Sequence, residues 1–375
     1  MIATQRIRVG VLAGGASSER EISLATGIEI AAHLDAARYE VTLIDPLALM
    51  ADNAALTDEQ RAHARALAEH AGVMEELPER DRRELPAALQ ERIVKGSSGL
   101  VGANSALIPA GKEHRRLDVC FVAIHGQWGE DGTIQGMLEL LGIPYVGSGV
   151  LASALAMDKV MAKTVLAASG LEVPAGIVVS RTGWPEERES ALARAEDLGF
   201  PLVVKPVRQG SSVGVVMVDA SDGLSAAIEA GFALDDRVMV EERLHGTELT
   251  VGVIGNGSEL RALPVIEIAT KAEFFDYRAK YDPELTDEIC PARISDELAL
   301  RVQDVALAAH RALGCRDLSR TDMIATEDGR VVTLEVNTIP GMTANSLLPK
   351  AARVAGIDFG ELCGRLIEAA LARSA

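Results

Sequence analysis

The run RTDMIATEDGRVVTLEVN, Arg320 to Asn337, constrains this chain more than any other stretch. Asp-Gly between two β-prone segments is a strong hairpin signal, because the central residues of the tightest turns need positive φ. With Asp328 and Gly329 at the tip, Asp322 falls opposite Glu335, and Arg320 opposite Asn337. Side chains alternate along a strand. These four therefore share one face, while Met323, Ala325, Val332, Leu334 and Val336 share the other. One face is core, and the other gathers two carboxylates, an amide and a guanidinium. A cross-strand salt bridge on a solvated face explains most such hairpins. Here, however, Asp322 and Glu335 oppose each other as like charges, which destabilises a sheet unless a cation lies between them. Oxygen ligands of this kind suit Mg2+, which completes its shell with water and substrate phosphate. The patch predicts a nucleotide, and the rest of the chain must supply its site.

With 375 residues, 48% of them hydrophobic and 25% charged, the chain has material for two or three ordinary globular domains. No apolar run approaches the ~18 residues of a membrane span, and the N-terminal MIATQRIRVGVLAGG lacks the pattern of a secretory signal. Cys120, Cys290, Cys315 and Cys363 form no Cys-x-x-Cys pair, which predicts reduced thiols in the cytoplasm. The net charge of −18 argues against a nucleic-acid partner. A polyanion can bind only where basic residues are gathered locally.

Strand, glycine turn and helix alternate from RIRVGVLAGG to PYVG, and LDVCFVAIHG is apolar almost throughout, as in a parallel strand buried on both faces. Residues 1–147 are therefore expected to form an open α/β domain, interrupted by an insertion at 46–116, with ligands at the strand carboxyl ends. Gly14-Gly15 and His125-Gly126 fall at such ends, although no G-x-G-x-x-G is present. Two further units are expected over 148–240 and 241–375. The first opens on a helix, MDKVMAKTVLAASG, that stops at Gly170. The second contains KAEFFDYRAKYDPELTDEICPA, a polar stretch with four aromatics (Phe274, Phe275, Tyr277 and Tyr281) that breaks strand and helix patterns and reads as a lid. A C-terminal helix is expected from about Asp358.

KPVRQGSSVG, Lys205 to Gly214, is a glycine-rich turn between strands and not a Walker loop, because it has no G-K-[S/T] and no following helix. Its amides and the Ser211 and Ser212 hydroxyls can lie over phosphate oxygens, with Lys205 adding a point charge. Alone it is most simply a turn, and Lys159 a surface lysine. The joint order is what carries information: lysine, lysine with glycine loop, acidic strand end, lid, carboxylate hairpin.

That order, together with GGASSEREISL, HGQWGEDGTIQGMLELLGIPYVGSGVLASALAMDK, VVKPVRQGSSVGV, VEERLHGTE, AKYDPELT and RTDMIATEDGRVVTLEVNTIPGMTANSLLP, resembles the ATP-grasp superfamily, and within it the D-alanine–D-alanine ligases. The resemblance covers nearly all of the chain outside 46–116. It implies an N-terminal α/β domain followed by a two-subdomain ATP-grasp fold. It also implies an ATP-dependent, ADP-forming joining of two D-alanines through an acyl phosphate, for cell-wall precursors, in a cytoplasmic homodimer.

Residue by residue, the resemblance assigns Lys159, Lys205, Lys280, Ser211 and Ser212 to the ATP phosphates. The segment Glu241, Glu242 to Leu244 is assigned to adenine through its carbonyl and N–H groups, and Glu248 to the ribose. Position 242 departs from the family, where lysine is common. Asp322, Glu335 and Asn337 match ligands of two Mg2+ ions, with Mn2+ as a substitute. Arg320 and the Gly341 amide match the oxyanion donors. Glu19 matches the anchor of the first ammonium, with His125 on the carboxylate side, and Ser346 and Leu347 match the acceptor carboxylate site. Tyr281 would join Glu19 and Ser211 in closing the site. The plainer readings are a helix cap for Glu19, a buried structural imidazole for His125 and lid packing for Tyr281. Rival functions are a D-serine or D-lactate ligase, a non-catalytic ATP-grasp protein and a biotin-dependent carboxylase. Tyr281 after Lys280 disfavours lactate, and retention of Arg320, Asp322, Glu335 and Asn337 disfavours a non-catalytic protein.

Overall fold

The computed structural model describes residues 6–15, 17, 19–47, 57–58, 62, 117–210, 212–270 and 286–373. Ser211, Lys280, Tyr281 and the other lid aromatics, with most of the expected 46–116 insertion, lie outside the described residues.

The first sheet is wholly parallel: β1 (Ile7–Leu12) lies between β2 (Tyr39–Ile44) and β3 (Val119–Val122), and β4 (Tyr145–Val146) closes the edge. Helix α1 (Arg20–His33) covers one face and α2 (Thr133–Leu141) the other, which is why β3 is buried along its whole length. Gly14-Gly15 and His125-Gly126 follow the carboxyl ends of β1 and β3.

The expected helix around Lys159 is two helices, α3 (Val150–Met157) and α4 (Lys159–Ala168). Asp158 breaks them: its backbone is extended, and its carboxylate accepts from the N–H groups of Val160 and Met161, both at 3.1 Å. An aspartate N-cap thereby places Lys159 in the first turn of α4.

The second sheet orders β5 (Gly176–Ser180), β8 (Arg237–Glu242), β6 (Leu202–Pro206) and β7 (Val216–Val218), all antiparallel. Helices α5 (Trp184–Glu196) and α6 (Ser221–Phe232) pack their Ala, Leu and Phe side chains on it. Glu241 and Glu242 end β8, so this sheet runs to residue 242.

The third sheet is built on β9 (Gly246–Gly255), with β10 (Arg261–Ala262), β11 (Ile266–Thr270) and β12 (Thr286–Ile289) on one side. On the other side lie β13 (Asp317–Thr326) and β14 (Val331–Asn337), with α7 (Asp296–Ala312) packed against one face. β12 corrects the lid reading, because the end of the supposedly patternless stretch pairs with β11 as an edge strand. Helices α8 (Leu347–Val354) and α9 (Phe359–Ala372) follow, and Asp358 caps α9. Although expected in the C-terminal unit, α9 buries Leu362, Leu366 and Ile367 in the same core as Val9, Val119 and Phe121 of the first sheet. The chain end thus ties the two together.

The β13–β14 hairpin departs from the expected geometry twice. Thr326 N–H bonds Arg330 O at 2.9 Å, so the loop has three residues and ends at Gly329, whose φ is 88°. That is the three-residue hairpin with glycine in the left-handed region. It pairs Ala325 with Val331 and Met323 with Thr333. A bulge at Leu334 then shifts the register by one, which restores Asp322 opposite Glu335 and Arg320 opposite Asn337. The site pairs match the sequence reading because two shifts cancel. Val332 and Leu334 do not share the Met323 face, and Val331 and Thr333 take their place there.

Candidate active site

A cavity of about 310 Å3 opens between the second and third sheets. Lys159, Lys205, Ser212, Glu241, Glu242, Leu244 and Glu248 line it, as do Arg320, Asp322, Glu335 and Leu347. Leu334, displaced by the bulge, lines it too.

The acidic end is built by strand register. Thr250 of β9 pairs with Asp322, and Glu248 pairs with Ile324, so these side chains face the cavity together. Asp322 is held bidentately by Arg320, at 2.8 Å from Nε and 2.7 Å from Nη2. It also accepts from Thr250 Oγ1 at 2.6 Å and Asn337 Nδ2 at 3.1 Å. Glu335 lies 3.5 Å from Lys159 Nζ. The like charges are therefore compensated by two protein cations, a refinement of the expectation that a metal must separate them. Burial alone would lower the Arg320 guanidinium, but Asp322 outweighs it and holds the group above its ordinary range. Asp322, Glu335 and Asn337 present only oxygen donors suited to Mg2+. Among the described residues no group of three His, Cys, Asp or Glu side chains converges as a metal cluster.

The basic end comes from α4, β6 and the β6–β7 turn. Lys159 donates to Gln209 O at 2.6 Å. Lys205 lies 2.6 Å from Glu241 Oε2, and the other oxygen of that carboxylate pairs with Lys163. The Glu241 side chain is thus a counter-ion. Of the segment expected to read a base edge, the Glu242 and Arg243 amides already bond Ala175 O and Pro201 O, at 3.0 and 3.1 Å, and do not serve that purpose. The Glu242 carboxylate accepts from Ala175 N–H at 2.9 Å, which gives the departing residue a structural task. Ser212 sits in the turn with φ 57°.

Glu19 occupies the N-cap position of α1, yet its side chain makes no capping bond. Its carboxylate reaches towards Gly126 and Gly210: a Cβ on either would come within 2.8 or 3.0 Å of Oε2. Gly126, at φ 69°, is required by its backbone conformation, and its lack of a side chain leaves room for this carboxylate. Glu130 bonds the Gly126 N–H at 2.7 Å. Burial first, then the charge of Glu19, push its carboxyl up to about 8.

His125, expected on the carboxylate side of the first substrate, has protein partners on both ring nitrogens. Its Nδ1 lies 3.1 Å from Ile339 O and its Nε2 3.1 Å from Thr26 Oγ1, so both ring nitrogens are engaged inside the protein. Ser346 Oγ is also occupied, accepting from Thr343 N–H at 3.1 Å and lying 2.8 Å from Thr343 Oγ1. A Cβ at Gly341 would meet Ser346 Oγ at 2.9 Å, so glycine is needed for the loop to pack there.

Sequence reasoning passed over Lys163, Glu130 and Thr250. The signals were present: Lys163 is four residues after Lys159 on one helical face, Glu130 sits inside GEDG, and Thr250 follows Glu248 by two along a strand.

A parallel α/β domain joined to two antiparallel sheets that close on a cavity lined by lysine, arginine and carboxylate defines the ATP-grasp class. The match to known proteins narrows this class. The chain belongs to the D-alanine–D-alanine ligase family: the model of the D-ala D-ala ligase N-terminus matches residues 8–148, and that of the C-terminus matches 165–368. A D-alanine–D-alanine ligase of Syntrophobacter fumaroxidans is 42% identical over 99% of both chains. The crystal structure of the VanG D-Ala:D-Ser ligase of Enterococcus faecalis superposes with a TM-score of 0.75 at 31% identity, covering 98% of this chain and 100% of that one. The ATP complex of the Bacillus anthracis D-alanine–D-alanine ligase gives 0.67 at 31% identity, covering 98% of each.

Proposed function

We propose that this chain joins two D-alanines into D-alanyl-D-alanine at the expense of ATP, for peptidoglycan precursor synthesis. The observation that supports this most is the cavity on which Lys159, Lys205 and the Arg320–Asp322–Glu335 set converge from four separate elements. A carboxylate resists attack by an amine, so it is first phosphorylated by ATP. The second amine then attacks the acyl carbon and phosphate leaves.

In this reading Lys159 and Lys205 hold the phosphates, with Lys280 and the loop serines 211 and 212. Phosphoryl transfer then depends mainly on positioning and charge. Glu248 and the backbone around Leu244 take the nucleoside. Asp322, Glu335 and Asn337 would hold Mg2+, which when bound supplies positive charge against the phosphates. Glu19 receives the first ammonium beside Gly126. Arg320, oriented by two bonds to Asp322, keeps further N–H donors for the developing oxyanion. The Gly341 amide acts with it, and Leu347, where α8 begins, binds the acceptor carboxylate together with Ser346, whose hydroxyl turns to it from Thr343. Tyr281 closes the site with Glu19 and Ser211. The same reading implies a homodimer, and Leu140 and Leu151, exposed on adjacent helices, offer apolar surface for it.

The test is phosphate release from ATP with D-alanine, D-serine and D-lactate, with product masses. Release that requires D-alanine and Mg2+ and yields the dipeptide supports the reading; release independent of D-alanine defeats it. D-serine as acceptor is the second reading, favoured by the structural likeness to the E. faecalis protein.

A further inference from the structure

Lys163 stands behind the cavity wall, and nothing in the mechanism above uses it. Its side chain is 8% exposed, and it is absent from the residues lining the cavity. It pairs with one oxygen of Glu241 while Lys205 holds the other. Lys205 and Glu241 do line the cavity. Alone, they would form a closed ion pair with little field left for an anion. Two ammonium groups on one carboxylate leave a formal surplus of one positive charge.

We propose that Lys163 is a positioning residue for nucleotide binding, one that engages Glu241 from behind so that the charge of Lys205 stays available to the triphosphate. The inference rests on the reading of the cavity as an ATP site. Burial, then repulsion from Lys205, holds the Lys163 ammonium below its ordinary range. Burial also opposes the charge on Lys205, but Glu241 overcomes it and keeps that ammonium above the ordinary range. The cluster's least secure proton is on Lys163, and a polyanion at Lys205 would secure it.

The experiment is calorimetric binding of ATP, and separately of adenosine, to the wild type, K163M, K163R and the double variant K163M/E241Q, all in Mg2+ buffer. K163M should weaken ATP about tenfold or more and leave adenosine unchanged, since only the phosphates sense the lost charge. K163R should stay within about threefold of the wild type. K163M/E241Q removes one charge of each sign from the cluster and should bind ATP more tightly than K163M. Unchanged ATP affinity in K163M, an equal loss for adenosine, or a double variant no better than K163M would each overturn the proposal. A wild type that binds no ATP would instead overturn the cavity reading beneath it.

Discussion

Asp322 and Glu335 stand directly opposite each other on β13 and β14, and each faces its own cation, Arg320 for the first and Lys159 for the second. Opposed carboxylates repel, and the hairpin offsets this with one cation from its own strand and another from α4. Lys159 therefore links the two sheets across the cavity. Charge neutralisation at Glu335 removes that link together with an oxygen donor. Glu335→Gln should abolish turnover in the phosphate-release assay while the fold survives by circular dichroism. Full activity in this variant would contradict the metal assignment.

Arg320 is buried and bonded twice to Asp322. Arg320→Met leaves that carboxylate without its bidentate partner and the site without an oxyanion donor. We expect kcat to fall by about a hundredfold or more, the usual cost of losing one such donor. Steady-state kinetics at saturating ATP will measure this. A loss confined to KM for ATP would reassign the residue to nucleotide binding.

Gly341 has no room for a side chain against Ser346. Gly341→Ala should lower kcat by displacing the loop that carries Ser346. Steady-state kinetics measure this, and an unchanged kcat would show that the loop accommodates the methyl.

His310 is 2% exposed, with Nδ1 2.8 Å from Ser319 Oγ, and burial pushes it down to about 4. The unfolded chain takes up a proton near the ordinary value of 6.5, whereas the folded chain does so only near 4. Neutral His310 therefore contributes stability above pH 6.5 that is lost as pH falls towards 4, about 3 kcal/mol at most for one such group. Denaturant melts across that window should show the slope, and His310→Leu should flatten it.

Asp317 is fully buried at φ 64° and joins three parts of the chain. It accepts from Gly147 N–H at 2.8 Å and Asn256 Nδ2 at 2.6 Å, and it pairs with Arg373 of the C-terminal segment. Arg373 also donates to Tyr145 O at 2.8 Å. Asp317→Ala leaves the Gly147 N–H and the Asn256 amide without their buried acceptor and should cost about 1–3 kcal/mol. Urea unfolding tests this, and a change under about 1 kcal/mol would mean that the knot is dispensable.

Much of the site was legible because strand and helix periods are local. β1, β3 and the β6–β7 turn follow from apolar runs ended by glycine, and the order of lysines, loop and carboxylate strand is a property of the chain itself. Local rules also put Glu335 and Asn337 on one face. They placed Asp322 opposite Glu335 only because the unforeseen three-residue loop and the Leu334 bulge offset each other.

The sequence by itself determined which groups exist and in what order: the paired lysines of α4, the carboxylates of β14, the glycines that permit close approach. Tertiary structure alone decided what each group faces. Glu19 stands at a helix start but reaches Gly126 and Gly210, His125 is taken up by Thr26 and Ile339, and Lys163 acts through Glu241 of another sheet. The physical reason is that backbone geometry is set by near neighbours. Burial and charge pairing, by contrast, depend on segments tens to hundreds of residues apart, brought within hydrogen-bond reach only when the separate sheets pack together.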